Sequence, residues 1–246
     1  MKGEIIKMML LLLFSGMAIL HSGCAVENQF LAKNVPFLEA KSDHIPGLDP
    51  PPLRRRLIQE KGTKGATAPE AEREILVAQL MYEYQTSPDP NMRREAVDAL
   101  AKIPHPDRDR FLQEIARDDN PFVRMSALEA LGNTFSGSKE ELSALLIDRA
   151  KVDSDSDVRV TAIRILGDVT SDTSAVLELG VFLNDRVPAV RYAAMQSLRK
   201  MSKKDYGNDI NRWLQYVRYV NGEIPDLPPE RTFAEKLPTI ALPMFK

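Results

Sequence analysis

Residues 153–167 read DSDSDVRVTAIRILG, and this stretch decides the fold because variants of it occur four times along the chain. The other copies are SPDPNMRREAVDAL at 87–100, RDDNPFVRMSALEAL at 117–131 and NDRVPAVRYAAMQSL at 184–198. Each copy places an Ala three residues after an Arg, and a Leu four residues after that Ala. The aligned arginines lie 31, 35 and 32 residues apart, and they are Arg93, Arg124, Arg159 and Arg191. A period of this length is typical of repeat architectures.

Within each copy, the Ala, the Leu and the Val or Met before the Arg form one apolar stripe at helical spacing. A second periodic stretch precedes each stripe, as in Leu142 and Leu145–Leu146. Each unit is therefore a helical hairpin that cannot bury its apolar face alone, and stacking the units solves that problem. Residues 208–221 add one more helix, whose Trp213 is expected to be a buried capping residue; a ligand platform is the alternative. The prediction is an all-α solenoid, a right-handed α-α superhelix of about four helical hairpins plus a C-terminal capping helix.

The pattern Asp/Asn…Val-Arg-x-x-Ala-x-x-x-Leu-(Gly) resembles HEAT repeats, in the short bacterial form also called PBS-lyase HEAT-like repeats. The resemblance covers roughly residues 70–201, and Gly132 and Gly167 complete it in the second and third units. It implies a HEAT/armadillo-like solenoid in which each Arg and the Asp before it form a ladder between units. The matching residues are Asp89, Asp119, Asp155 and Asp185, with Arg93, Arg124, Arg159 and Arg191. We therefore expect these arginines to pair with local carboxylates rather than to form a stripe that binds nucleic acid.

The first residues are typical of an export signal. Residues 8–20 carry no charge, and this run is shorter than the ~20 apolar residues that a spanning helix needs. Cys24, the single cysteine, follows Ser-Gly directly and resembles the acylated cysteine of a bacterial lipobox. The resemblance implies a lipoprotein signal peptide at 1–23 and a lipid anchor on Cys24. Because His21 stands where the lipobox usually has Leu, an ordinary cleaved signal or an uncleaved anchor remains the alternative.

A lipid anchor implies a place in the bacterial cell envelope, facing the periplasm or the exterior. Ala25 follows the cysteine where the inner-membrane retention rule would place Asp, so the outer membrane is favoured. Residues 24–66 are rich in Pro and predict a flexible tether with one short helix near 53–60. Its run Arg54–Arg56 either contacts acidic lipid headgroups or is a solvated flank.

The remaining domain boundaries follow from the repeats. The solenoid with its cap is predicted over 67–221, and a Pro-rich tail follows at 222–246. Five Pro in that tail cannot continue a helix, so the tail either packs as an extended strap or stays loose.

Composition excludes several functional classes. With 33 basic and 35 acidic residues, the net charge of about −2 excludes a broad electrostatic binder of nucleic acid. One Cys excludes an internal disulfide or a thiolate zinc cluster, and three His leave little for a metal site. No phosphate loop, nucleophile elbow, zinc-protease or dinucleotide motif occurs. The sequence thus predicts no enzyme, no catalytic residue, no metal, no cofactor and no small-molecule substrate.

The function that these observations favour is a membrane-tethered scaffold that binds a protein partner on the concave face of the solenoid. That face is the row of second helices in the hairpins. The outward candidates on it are Arg94, Asp98, Glu129, Arg164, Tyr192, Gln196 and Arg199. Two alternatives stay open: a structural envelope lipoprotein without a specific partner, and a HEAT-like enzyme of the phycobilin-lyase type.

Overall fold

The computed structural model describes residues 50–170 and 172–232. In these residues it shows ten helices and no strand. The helices are α1 Pro51–Gly65, α2 Glu70–Thr86, α3 Pro90–Ala101, α4 Arg108–Ile115, α5 Pro121–Thr134, α6 Lys139–Val152, α7 Ser156–Val169, α8 Thr173–Phe182, α9 Pro188–Ser202 and α10 Ile210–Val220. The predicted signal peptide, Cys24, the tether up to residue 49 and the tail from residue 233 lie outside the described residues. Within the described ranges, none of the helices is both long enough and apolar enough to cross a bilayer.

Four hairpins follow one another along the chain: α2–α3, α4–α5, α6–α7 and α8–α9. Their second helices pack side by side, since α3 contacts α5, α5 contacts α7 and α7 contacts α9. The cap α10 packs on α8 and α9. This arrangement is the predicted α-α solenoid with its C-terminal cap.

The second helices begin where the sequence provides caps. Asp89, Asn120 and Asp155 stand at the N-cap positions of α3, α5 and α7. Each side chain accepts a hydrogen bond from the main-chain N–H two residues further on, at 2.9, 3.0 and 2.9 Å. Such a bond satisfies one of the amide groups that have no partner inside the helix. Pro occupies the first turn of α3, α5 and α9, where its missing N–H costs nothing.

The repeated apolar residues form the core. The Ala and the Leu of all four copies are at most 1% exposed, and Leu131 and Leu166 are both 0% exposed, as the stripe predicts. Trp213 of α10 is also fully buried. Its Nε1 donates to the carbonyl of Gly207 at 3.0 Å, and its ring meets Tyr206 edge-on at 4.8 Å between centroids. The prediction that Trp213 is a buried capping residue is confirmed.

The short helix predicted near 53–60 is present but longer, because residues 51–65 form the 15-residue helix α1, so this part of the predicted tether is not extended. This helix packs against α2 and α3 as an additional second helix at the N-terminal end of the row. Ile58 is 1% exposed, and a Cβ at Gly62 would lie 2.7 Å from the Cα of Ala99. The sequence does not reveal that this helix docks on the solenoid, because its buried residues are one Ile and two glycines, which leave little apolar periodicity.

The arginine run on α1 is neutralised by carboxylates of the solenoid. Arg54 donates to Glu83 of α2 at 2.8 Å, and Arg55 pairs with Glu95 of α3 at 3.2 Å. Arg56 pairs with Glu60 one turn further along α1, at 2.8 Å. These contacts anchor α1 to the first hairpin and provide an account of the basic run that requires no lipid.

Candidate functional site

The outward side of the second helices carries three rows of side chains, which we call the B-helix face. The rows follow the aligned arginines by one, five and nine residues, and steps of four residues share one side of a helix. All of these side chains are partly or fully exposed. The first row is Arg94, Met125, Val160 and Tyr192, the second is Asp98, Glu129, Arg164 and Gln196, and the third is Lys102, Asn133, Asp168 and Lys200.

Polar contacts join the neighbouring second helices along this face. Between α7 and α5, Arg164 pairs with Glu129 at 2.7 Å, and between α9 and α7, Lys200 pairs with Asp168. Exposed pairs of this kind contribute about 0–1 kcal/mol each, so they add little to the stability of the stacked helices. Other contacts between second helices include Gln59 to Glu95 between α1 and α3, and Ser126 to Asp98 between α5 and α3.

Asp98 is a carboxylate of the B-helix face with a shifted pKa. Partial burial against α5 raises the pKa of Asp98. The hydrogen bond from Ser126 and the charge of Arg94 oppose this shift without cancelling it. Asp98 therefore behaves as a partly desolvated acceptor, which is consistent with a structural contact between α3 and α5.

A cavity of about 600 Å³ lies between α7 and α9 on the B-helix face. Its surface is predominantly apolar, and it is open to solvent. Two smaller depressions adjoin it, of about 160 Å³ towards α5 and about 380 Å³ towards the ends of α7 and α9. Asp168 borders all three. The cavity is lined by Val160, Arg164, Asp168, Ala189, Tyr192, Ala193, Gln196, Ser197, Arg199 and Lys200.

The structure brings five of the seven predicted surface residues together. Arg164, Tyr192, Gln196 and Arg199 line the cavity, and Glu129 lines the adjoining depression towards α5. The other two, Arg94 and Asp98, lie on α3 and do not line these cavities.

Sequence reasoning missed several residues that border the cavity, above all Asp168, Lys200 and Val160. The signal that could have found them is the four-residue step. Asp168 follows Arg164 by one turn, Lys200 follows Gln196 by one turn, and Val160 precedes Arg164 by one turn.

Arg199 needs a correction, because it does not belong to the outward rows. It aligns with Gly132 and Gly167, where a Cβ would meet Ile165 or Ser197 of the next second helix. No further second helix follows α9 among the described residues, so an Arg fits at this position. Its guanidinium turns towards the cap, donating to the carbonyl of Gly207 at 3.0 Å and to Gln196 at 2.9 Å.

The arginine ladder is present, but two of its carboxylates, Asp118 and Asp153, were not predicted. Arg93 donates to Asp118 at 2.8 Å, Arg124 to Asp153 at 2.7 Å, and Arg159 lies 3.5 Å from Asp185. Each of these Asp residues precedes the Arg of its own repeat by six residues. The ladder therefore crosses from one repeat to the next.

Two of the four predicted carboxylates have other roles. Asp89 and Asp155 cap helices and take no part in the ladder, because the N-cap position directs a carboxylate at the helix amides. Asp119 is a second, largely exposed partner of Arg93, beside Asp118. Asp119 and Asp185 therefore take part in the ladder, as predicted.

Main-chain carbonyls also accept hydrogen bonds from the arginines of the ladder. Nη1 of Arg124 donates to the carbonyl of Asp118 at 2.9 Å, and Nη1 of Arg191 donates to that of Asp185 at 2.8 Å. These arginines are thus engaged with the fold, as the sequence predicts. Among residues 50–170 and 172–232, no three His, Cys, Asp or Glu side chains converge to hold a metal ion.

Comparison with known proteins agrees with the geometry. The family of HEAT repeats matches residues 77–147 and 143–210, which together exceed half of the chain. No curated protein matches the sequence. The matched residues begin in α2 and reach the start of α10, so they cover all four hairpins. The chain belongs to the HEAT-repeat family.

Proposed function

We propose that this protein is a membrane-tethered scaffold of the bacterial cell envelope that binds a protein partner on its B-helix face. HEAT-repeat proteins are typically non-catalytic scaffolds for protein interaction, and stacked repeats commonly recognise partners along one row of helices. The observation that carries the proposal is the predominantly apolar cavity of about 600 Å³ between α7 and α9. Tyr192 at its edge is 51% exposed, so its ring adds accessible apolar surface to that of the cavity.

The membrane part of the proposal depends on Cys24 and the apolar segment before it. Two or more acyl chains give a stable anchor, whereas one chain binds only marginally. On the lipobox resemblance, the scaffold faces the periplasm or the exterior, with the outer membrane favoured. Residues 25–50 then set the distance between the membrane and the first helix.

A site-specific photo-crosslinker in the full-length protein tests the binding surface in living cells. The crosslinking amino acid p-benzoylphenylalanine replaces Tyr192 in one strain and Tyr82 in another. Tyr82 is a matched control, because it is also a tyrosine, is 66% exposed and lies on α2, away from the B-helix face. We expect discrete protein adducts from position 192 and none of the same mass from position 82.

The absence of adducts at position 192, with the protein folded and present at its normal level, would contradict the scaffold function. It would favour a structural envelope component without a specific partner. The anchor is tested separately by Cys24→Ser, which should move the protein from the membrane to the soluble fraction. An unmodified Cys24 in the mass spectrum of the mature protein would contradict lipidation without affecting the binding surface.

A further inference from the structure

We infer that the cavity between α7 and α9 receives one apolar side chain of the partner, and that Asp and Glu residues flank this side chain in the partner segment. This inference rests on the proposed scaffold function and specifies the chemistry of its ligand. It depends on two independent properties of the site, which are its apolar floor and the sign of the charges around it.

The floor is apolar because α9 carries small residues on the side that faces α7. Ala189 and Ala193 leave open the space that longer side chains would fill, and Val160 of α7 closes the opposite wall. Close approach of the two helices fixes the depth of the groove, since Ser197 donates to the carbonyl of Ile163 at 2.9 Å. The exposed ring of Tyr192 forms the rim at one end.

An apolar side chain gains most from this floor. Burying a Leu, Ile, Phe or Met side chain removes its apolar surface from water, and an aromatic ring would add contact with Tyr192. A volume of about 600 Å³ is larger than one such side chain needs, which leaves room at the open rim for the residues that flank it. The first row of the B-helix face becomes apolar only from α5 onward, which confines this chemistry to the C-terminal half of the row.

The charges around the floor are mainly positive. Five basic side chains and two carboxylates line the cavity and its two neighbours, in a chain whose net charge is −2. The basic residues are Lys139, Arg164, Arg199, Lys200 and Lys203, and the carboxylates are Glu129 and Asp168. The local sign is thus opposite to that of the whole protein.

The existing ion pairs do not exhaust these cations. The side chains of Arg164 and Lys200 remain 58% and 57% exposed in their pairs with Glu129 and Asp168, so each can donate to a second carboxylate. Lys139 and Lys203 are exposed and make no ion pair within the described part of the chain. Helices α7 and α9 end beside the depression of about 380 Å³, and each C-terminus contributes about half a negative charge. The three positive charges of Lys139, Lys200 and Lys203 in this depression exceed the negative charge of the two helix ends.

Charge complementarity therefore selects a partner segment with carboxylates on either side of its apolar residue. Basic segments would meet like charges at the rim, which costs affinity and slows association. Uncharged segments would bind the apolar floor but would form no ion pair with the basic side chains at the rim.

The experiment is a selection from a phage-displayed library of random peptides on the full-length protein in a non-ionic detergent. We expect enriched peptides that are acidic and contain one large apolar residue. One enriched peptide is then synthesised, and its binding is measured by fluorescence anisotropy at increasing NaCl concentration. Its affinity should fall as salt screens the rim charges.

Two matched pairs of variants locate the binding. Lys200→Glu should weaken the peptide about tenfold or more, whereas Lys64→Glu should not. Both lysines are exposed and each pairs with one carboxylate, so the change in net charge and the lost ion pair are equivalent. Ala189→Leu fills the floor without changing charge and should abolish binding. Its control is Ala78→Leu on the exposed side of α2, which should have no effect.

Enrichment of basic or uncharged peptides, or of none, overturns this inference. So do acidic peptides whose binding is indifferent to Ala189→Leu. None of these results affects the adducts expected from position 192 in cells, so failure of the ligand chemistry is distinguishable from failure of the scaffold function.

Discussion

Arg124 and Asp153 form a bidentate ion pair that joins α5 to the turn before α7. Nε and Nη2 of Arg124 donate to the two carboxylate oxygens at 2.9 and 2.7 Å. The two side chains are only 10% and 2% exposed, so the pair lies almost outside water. Asp153 also accepts from the main-chain N–H of Asp155 at 3.0 Å, which links the pair to the start of α7. One rung of the ladder therefore fixes two successive repeats and the cap of the next helix.

Breaking this rung should destabilise the protein strongly. Asp153→Asn leaves the Arg124 charge buried without its carboxylate, and removing one partner of a buried pair costs about 3–5 kcal/mol. Glu129→Gln is the matched control, since it removes the carboxylate of another inter-repeat Arg pair that is exposed. That change should cost no more than about 1 kcal/mol. Urea unfolding followed by circular dichroism measures both, and equal costs would contradict a buried role for the ladder.

The neighbouring rung predicts how stability depends on pH. Burial alone raises the pKa of Asp118, but hydrogen bonds from the N–H of Asn120, from Arg93 and from Tyr84 outweigh burial and lower this pKa below its ordinary value. A carboxyl whose pKa is lower in the folded than in the unfolded state stabilises the fold above the unfolded pKa of about 3.9. That contribution is lost as the pH falls below about 4 and through the folded pKa.

Asp118→Asn should therefore reduce the free energy of unfolding at pH 7 and flatten its decline between pH 5 and the acid range, because Asn does not titrate. The measurement is urea unfolding at a series of pH values for both proteins. Part of the slope should remain, since the pKa values of Asp109 and Asp205 are also lowered. An unchanged slope in the variant would mean that Asp118 does not contribute to acid unfolding.

Helix α1 should detach when its close approach to α3 is blocked. A Cβ at Gly62 would lie 2.8 Å or less from the Cα and Cβ of Ala99, and backbone atoms cannot move aside cheaply. Gly62→Leu should thus separate α1 from the first hairpin and expose Ile58 and residues near it to proteases. The control is Thr63→Leu at the next position, which is exposed and bonds only to the carbonyl of Gln59. Equal protease sensitivity of the two variants would contradict the docked helix.

The repeat core was predictable because it depends on spacing. Ala162 and Leu166, for example, hold the same offsets from their Arg as the matching residues of every other copy, and such offsets identify the buried side of a helix. The docking of helix α1 was not predictable in this way, because Gly62 approaches Ala99 of α3, and Gly65 approaches Ile103 just after α3, by having no side chain. Local sequence patterns register apolar side chains and not close backbone approach.

In the candidate site, too, the residues that depend on helical spacing were predictable, and the features that depend on stacking of the hairpins were not. Arg164, Tyr192 and Gln196 followed from helical spacing, because outward positions repeat every four residues along a buried stripe. The cavity itself depends on small residues of α9 facing Val160 of α7, and this juxtaposition exists only once the hairpins stack. Arg199 was misplaced for a related reason: its guanidinium is held by the carbonyl of Gly207, in the segment that connects α9 to α10.

Partner binding should require the B-helix face and not exposed polar residues in general. Replacing Glu129, Arg164 and Tyr192 together by Ala removes one carboxylate, one cation and one exposed ring from the cavity and its neighbouring depression. The exposed ion pair between Glu129 and Arg164 contributes at most about 1 kcal/mol, so the fold should persist. We expect normal helicity, but loss of the partner that is captured from the wild-type protein by chemical crosslinking in cells.

A matched triple variant tests whether this loss of the partner is specific to the B-helix face. Glu178, Lys151 and Tyr82 are the same three kinds of residue, and Lys151 pairs with Glu178 between α8 and α6 at 2.5 Å. Tyr82 is even more exposed than Tyr192. Replacing these three by Ala removes an equivalent ion pair and ring from other surfaces and should leave the partner bound. Equal loss in both triple variants would show that binding does not depend on the B-helix face, and retention of the partner by both would exclude this surface as its site.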